Sequence, residues 1–324
     1  MIFWLTIFCV LALVLSFGVA RYRSHIYSQR HPPIGDLMRV DGVTLHYYDT
    51  AGAQRASPIG SSPLVFIHGA SSNLRDAVLA FEEPLGGKRR LIFVDRPGHG
   101  HSTRHSAFQS DPRRQADLIA KLLSRLDVDN AIVVGHSWGG AVAAAIGLQH
   151  GNLVKGLVFL APATHPWPGG VLWYYRAANL PIIGRVFAWC VATFVGTRRV
   201  NCAAAAVFAP NRMPPDYPEA VGAELALRPA QFLANAADIV DLHKHVKAMS
   251  RDYSTITTSA LIITGTQDDV VWPHLHAHGL MRDLPDAELI EFENCGHMPH
   301  HSRNSETVAA IQAFADGIYR VMER

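Results

Sequence analysis

Six short apolar runs, separated by segments of helical periodicity, limit the folds open to this chain more than any other feature. They begin at Leu64 (LVFIHG), Leu91 (LIFVDRPGHG), Ala131 (AIVVGHS), Gly156 (GLVFLAP), Ala260 (ALIITGTQDD) and Glu288 (ELIEFENCGH). Strands rich in Val, Ile and Leu with little polar alternation bury both faces, which requires helices on either side of a mainly parallel sheet. The clearest helix between them is DPRRQADLIAKLLSRLDV, in which Asp111 can cap and Pro112 suits the first turn. Its Ala116, Ile119, Leu122, Leu123 and Leu126 share one face. Upstream, DLMRVDGVTLHYYD over 36–49 predicts a hairpin turning at Asp41-Gly42. At 324 residues, 49% of them hydrophobic and 17% charged, the chain can bury one large core with an insertion.

The rhythm breaks once, and the break sets the expected organisation. Residues 163–258 carry helical matter without a strand signal and read as a cap over the strand ends, dividing a core of 35–162 from a second part at 259–324. The apolar part of the cap, from Val171 to Val195, is interrupted by Arg176, Pro181, Gly184 and Arg185, so it reads as a buried or membrane-leaning cap, not as a second span. Residues 1–21 read as a single-pass membrane anchor: Ile2–Ala20 carries no charge, and Arg21, Arg23 and Arg30 follow. A cleaved signal segment, leaving a secreted or periplasmic protein, is the alternative. Residues 22–34 read as a linker, extended by Pro32 and Pro33. Lys plus Arg number 29 against 27 Asp plus Glu, and a net charge of +2 provides no electrostatic case for nucleic acid. Cys9, Cys190, Cys202 and Cys295 form no CxxC pair, so neither a zinc site nor a disulfide framework is expected.

Ligands of parallel sheets bind at the carboxyl ends of the strands, and the chemically interesting residues gather there. Gly135-His136-Ser137-Trp138-Gly139 is a GxSxG motif between an expected strand and an expected helix, where a sharp turn projects the serine hydroxyl clear of the sheet. A serine nucleophile needs a base, and the base an orienting acid. His297, in ENCGHMPHH after the last strand, is the expected base, with His300 and His301 as rivals; Asp268 is the expected acid, with Asp269 beside it. Asp95, with Gly98 and Gly100, reads as a loop organiser, and His274, His276 and His278 are spaced wrongly to share one helical face as metal ligands. No metal or cofactor is called for.

Taken in order, His68-Gly69, DRPGHGHS from Asp95, GHSWGG from Gly135, GTQDDVVWP from Gly265 and CGHMPH from Cys295 make the chain resemble the α/β-hydrolase fold with a helical cap, from about Gly35 onward. The resemblance implies Ser137 as nucleophile, His297 as base and then acid, Asp268 as its carboxylate, and an oxyanion hole from the backbone N–H groups of Ala70 and Trp138. It implies a serine esterase or lipase-like enzyme acting on a carboxylic ester, lipid-like or otherwise small, with an apolar acyl group. Alternatives within the fold are a carbon–carbon bond hydrolase or an acyltransferase. A non-catalytic binder of a hydrophobic ligand stands outside the enzyme class. The motifs leave oligomeric state and substrate open.

Overall fold

In the computed structural model, which describes residues 2–51 and 61–317, eight strands form one sheet in the order β1-β2-β4-β3-β5-β6-β7-β8. Strands β1 (Asp36–Val40) and β2 (Val43–Asp49) make the expected hairpin, and β2 pairs antiparallel with β4 (Leu91–Val94). Beyond β4 the sheet is parallel, through β3 (Leu64–Ile67), β5 (Ala131–His136), β6 (Val154–Leu160), β7 (Ala260–Gly265) and β8 (Ala287–Phe292). Along β5 every residue is buried, and alternate side chains serve opposite cores. Ala131 and Val133 join Leu122, Leu123 and Ile146, from α3 (Pro112–Arg125) and α4 (Trp138–Gln149). Ile132 and Val134 join Phe81 of α2 (Arg75–Leu85) and Ile311 near the C-terminus. Helices thus cover both faces, as continuous apolar strands demand. Asp111 caps α3, its carboxylate accepting the Arg113 N–H at 3.0 Å.

The helical insertion lies between β6 and β7. It comprises α5 (Trp173–Ala178), α6 (Ile183–Phe194), α7 (Thr197–Phe208), the single turn α8 (Tyr217–Ala220) and the long α9 (Pro229–Met249). After β7 come α10 (Pro273–Asp283), α11 (Pro299–Ser302) and α12 (Asn304–Ala315); residues 318–324 of the second core segment lie outside the described residues.

The N-terminal helix α1 runs from Ile2 to Arg30, which corrects the extended linker expected over 22–34. Among the described residues before β1, only 31–35 are non-helical. Two hydroxyls bond back along the last turns of α1, Ser24 donating to Ala20 O at 2.7 Å and Ser28 to Ser24 O at 2.9 Å. The physical reason for the extension is tertiary: Tyr27 is buried in a cluster with Leu225 and Leu227 of the insertion. Pro32 and Pro33 end the helix but do not melt what precedes it.

Candidate active site

Strand β5 ends and α4 begins at Ser137, whose backbone adopts φ 52° and ψ −117°. A non-glycine residue there is strained, and the strain is sustained by neighbours that allow no side chain of their own. A Cβ on Gly135 would lie 2.4 Å from Gly139 O, and one on Gly139 would lie 2.3 Å from Ile67 O. The turn is therefore as tight as the backbones of β3, β5 and α4 permit.

The serine hydroxyl meets two residues brought in by the last two strands. Ser137 Oγ lies 2.9 Å from His297 Nε2, and His297 Nδ1 lies 2.7 Å from Asp268 Oδ2. Because an ionised carboxylate only accepts, Nδ1 carries the proton and Nε2 is left to accept from the serine. The other oxygen of Asp268 accepts the N–H groups of Val270 and Val271, both at 2.9 Å, so its orientation is set from two sides. All three residues are buried, Ser137 being 8% exposed. The structure thus brings together Ser137, His297 and Asp268, whereas Asp269 is exposed and outside this chain of contacts.

The two rival histidines face elsewhere. His300 Nε2 and His301 Nε2 donate to the carboxylate of Asp76 at 3.1 and 2.8 Å, and the Tyr217 hydroxyl donates to it at 2.8 Å. Burial pushes the Asp76 carboxyl up, but the charges and hydrogen bonds of the two histidines outweigh it and hold it well below 3.8. Likewise the HxHxH stretch points in three directions. His274 stacks on Trp272, His276 Nδ1 accepts the N–H groups of Thr164 and His165, and His278 pairs with Glu291.

Trp138 opens α4, so its N–H has no partner inside the helix. Ala70 follows Gly69, where an added Cβ would stand 3.1 Å from Ser137 Cβ; the loop after β3 passes directly beside the serine. That loop is held by a residue that the sequence reading passed over. The fully buried Arg96 donates from Nε to His68 O at 3.0 Å and from Nη2 to Gly69 O at 2.9 Å. Its Nη1 donates to Asp238 Oδ2 of α9 at 2.6 Å, and its guanidinium lies over the Trp138 ring, 4.2 Å from the centroid. Arg104 pairs with the other oxygen of Asp238 at 2.6 Å. The Arg96 N–H donates to His68 Nε2 at 3.0 Å, and burial followed by the Arg96 charge pushes the His68 pKa down to about 4. The one available signal was a second charged residue, directly after Asp95, at the end of the buried run LIFV.

Asp95 performs the loop-organising role expected of it. It accepts from His46 Nδ1 at 2.6 Å, Leu74 N at 2.7 Å and His101 N at 2.8 Å. Behind the site, His136 Nε2 donates to the backbone carbonyl of His297 at 3.1 Å.

Residues 64–311 match the alpha/beta hydrolase family. The chain belongs to that family. An uncharacterized protein of Mycobacterium tuberculosis is 29% identical over 288 residues, covering 84% of this chain and 81% of its own. A 2-hydroxymuconate semialdehyde hydrolase of a Pseudomonas strain is 24% identical over 300 residues, covering 89% of this chain and 97% of its own. Among solved structures, a membrane phospholipase A described as a bacterial virulence factor superposes with a TM-score of 0.68, at 20% identity over 98% of both chains. As a member of this family the protein is an α/β-hydrolase enzyme.

Proposed function

We propose that the protein is a serine hydrolase that cleaves a carboxylic ester with an apolar acyl group through an acyl-enzyme on Ser137. The observation that carries this reading is the contact chain from Ser137 Oγ to His297 to Asp268, at 2.9 and 2.7 Å, on a strained turn between strand and helix. In this reading Ser137 Oγ attacks the ester carbonyl while His297 Nε2 takes its proton, and Asp268 stabilises the imidazolium. The N–H groups of Ala70 and Trp138 receive the oxyanion. Collapse of the tetrahedral intermediate expels the alcohol, which takes the proton from His297; a water molecule then repeats the sequence on the acyl-enzyme. Helix α1, whose apolar stretch is 12% buried, acts as the membrane anchor.

Carbon–carbon bond hydrolysis is the second reading, favoured by the likeness to the 2-hydroxymuconate semialdehyde hydrolase over nearly its full length. The test is to treat the full chain in detergent with a fluorophosphonate probe and a panel of p-nitrophenyl esters and dienoate substrates, with Ser137→Ala beside it. Labelling and ester turnover that vanish in Ser137→Ala are expected. Turnover of the dienoate alone would transfer the assignment to the second reading, and a folded wild type that neither labels nor turns over any substrate would refute both.

A further inference from the structure

Between Thr164 and Pro215 the insertion contains five arginines and not one Asp or Glu. Arg176, Arg185, Arg198, Arg199 and Arg212 are all exposed. The same segment exposes large apolar side chains: Trp173 is 71% exposed, Ile182 82%, Ile183 62% and Phe194 78%. Apolar side chains with tryptophan, joined by basic residues and no carboxylates, have the chemistry of a surface that lies in the boundary of an anionic bilayer.

The position of this surface relative to α1 supports the same occupant. Ser16 Oγ lies 3.0 Å from Thr193 Oγ1, and the rings of Phe17 and Trp189 are 4.8 Å apart. Ser16 and Phe17 belong to the uncharged stretch that ends at Ala20, so α6 shares whatever depth the last turns of that stretch occupy. Arg23, just past its end, donates to the carbonyls of Thr193 at 2.7 Å and Val195 at 3.0 Å, which places the start of α7, with Arg198 and Arg199, near the basic flank of α1. Trp173 joins the same face through Phe187 of α6, with ring centroids 6.0 Å apart.

We propose that α5–α7 form a second membrane contact, distinct from the span. In it Trp173, Ile182, Ile183 and Phe194 sit among the acyl chains of an anionic leaflet, and Arg198 and Arg199 join Arg21 at its headgroups. This rests on reading α1 as an anchor, and it deepens the proposed function: the ester substrate is drawn from the leaflet on which the cap rests.

The full chain is reconstituted in vesicles of brominated phosphatidylcholine with phosphatidylglycerol, and tryptophan quenching is compared between wild type and Trp173→Phe. A smaller quenched fraction in Trp173→Phe is expected; an unchanged fraction overturns the proposal. Paired Ile182→Glu and Ile183→Glu substitutions, both at exposed positions, are expected to lower hydrolysis of a vesicle-borne long-chain ester about tenfold while a water-soluble short-chain ester is turned over as before. Equal loss on both esters would overturn the substrate route. Failure of the anchor reading shows separately, as release of wild type into an alkaline carbonate supernatant. Failure of the hydrolase reading shows as absence of any Ser137-dependent turnover, and the quenching comparison decides the cap contact in either case.

Discussion

Arg96 ties the loop carrying Gly69 and Ala70 to the cap helix bearing Asp238, and it does so with a planar fork that a lysine does not reproduce. If Ala70 supplies an oxyanion donor, Arg96 is a positioning residue for it. Arg96→Lys is expected to slow ester turnover by about tenfold to a hundredfold, within the range for a weakened oxyanion donor. The decisive readout is kcat on protein whose circular dichroism shows it folded; unchanged kcat would leave Arg96 a purely structural role. Ser137, His297 and Asp268 were legible in the sequence because each sits in a turn at the end of an apolar run, where local chemistry marks it. Arg96 was not legible as a tie, because its partner Asp238 lies 142 residues away and no local pattern records that contact.

At the scale of elements, α3 shows a local signal acting on its own. Asp111 accepts the Arg113 N–H, and Asp111→Ala is expected to cost about 1 kcal/mol, read as a lower urea midpoint at unchanged slope. No change in midpoint would mean that water or a neighbouring group satisfies the freed N–H. Helix α1 shows the opposite case. The proline pair at Pro32 and Pro33 marked correctly where helix is impossible, but the turns before it are helical because Tyr27 docks beside Leu225 and Leu227 and Arg228 donates to Ser28 Oγ at 3.1 Å. Those partners come from the insertion, and the pattern of residues 22–30 does not contain them.

For the whole molecule, buried neutral histidines tie stability to pH. His68 and His276 are both pushed down to about 4 from 6.5, chiefly by burial, and each accepts backbone N–H groups on a ring nitrogen that a proton would occupy. Their folded values lie below the unfolded one, so the unfolded chain binds more protons between about pH 6.5 and pH 4. Stability is therefore expected to fall as pH drops through that window, by roughly 3 kcal/mol per histidine, and to stop falling on their account below it. Asp76, held well below 3.8, adds a further loss in stronger acid, since its contribution is present above that value and disappears as the carboxylate is protonated. Urea titrations at about pH 7 and about pH 4.5 test this, and equal stabilities at the two would mean that these histidines titrate normally in the folded protein. The sequence by itself determined the parallel sheet, the covering of both its faces, and the turn that carries Ser137, because strand burial and glycine-bounded turns are written in residues close together along the chain. Tertiary structure alone decided what fixes the loop beside the serine and how far α1 continues, because each depends on contacts between residues more than a hundred positions apart, which form only once the sheet and the insertion are in place.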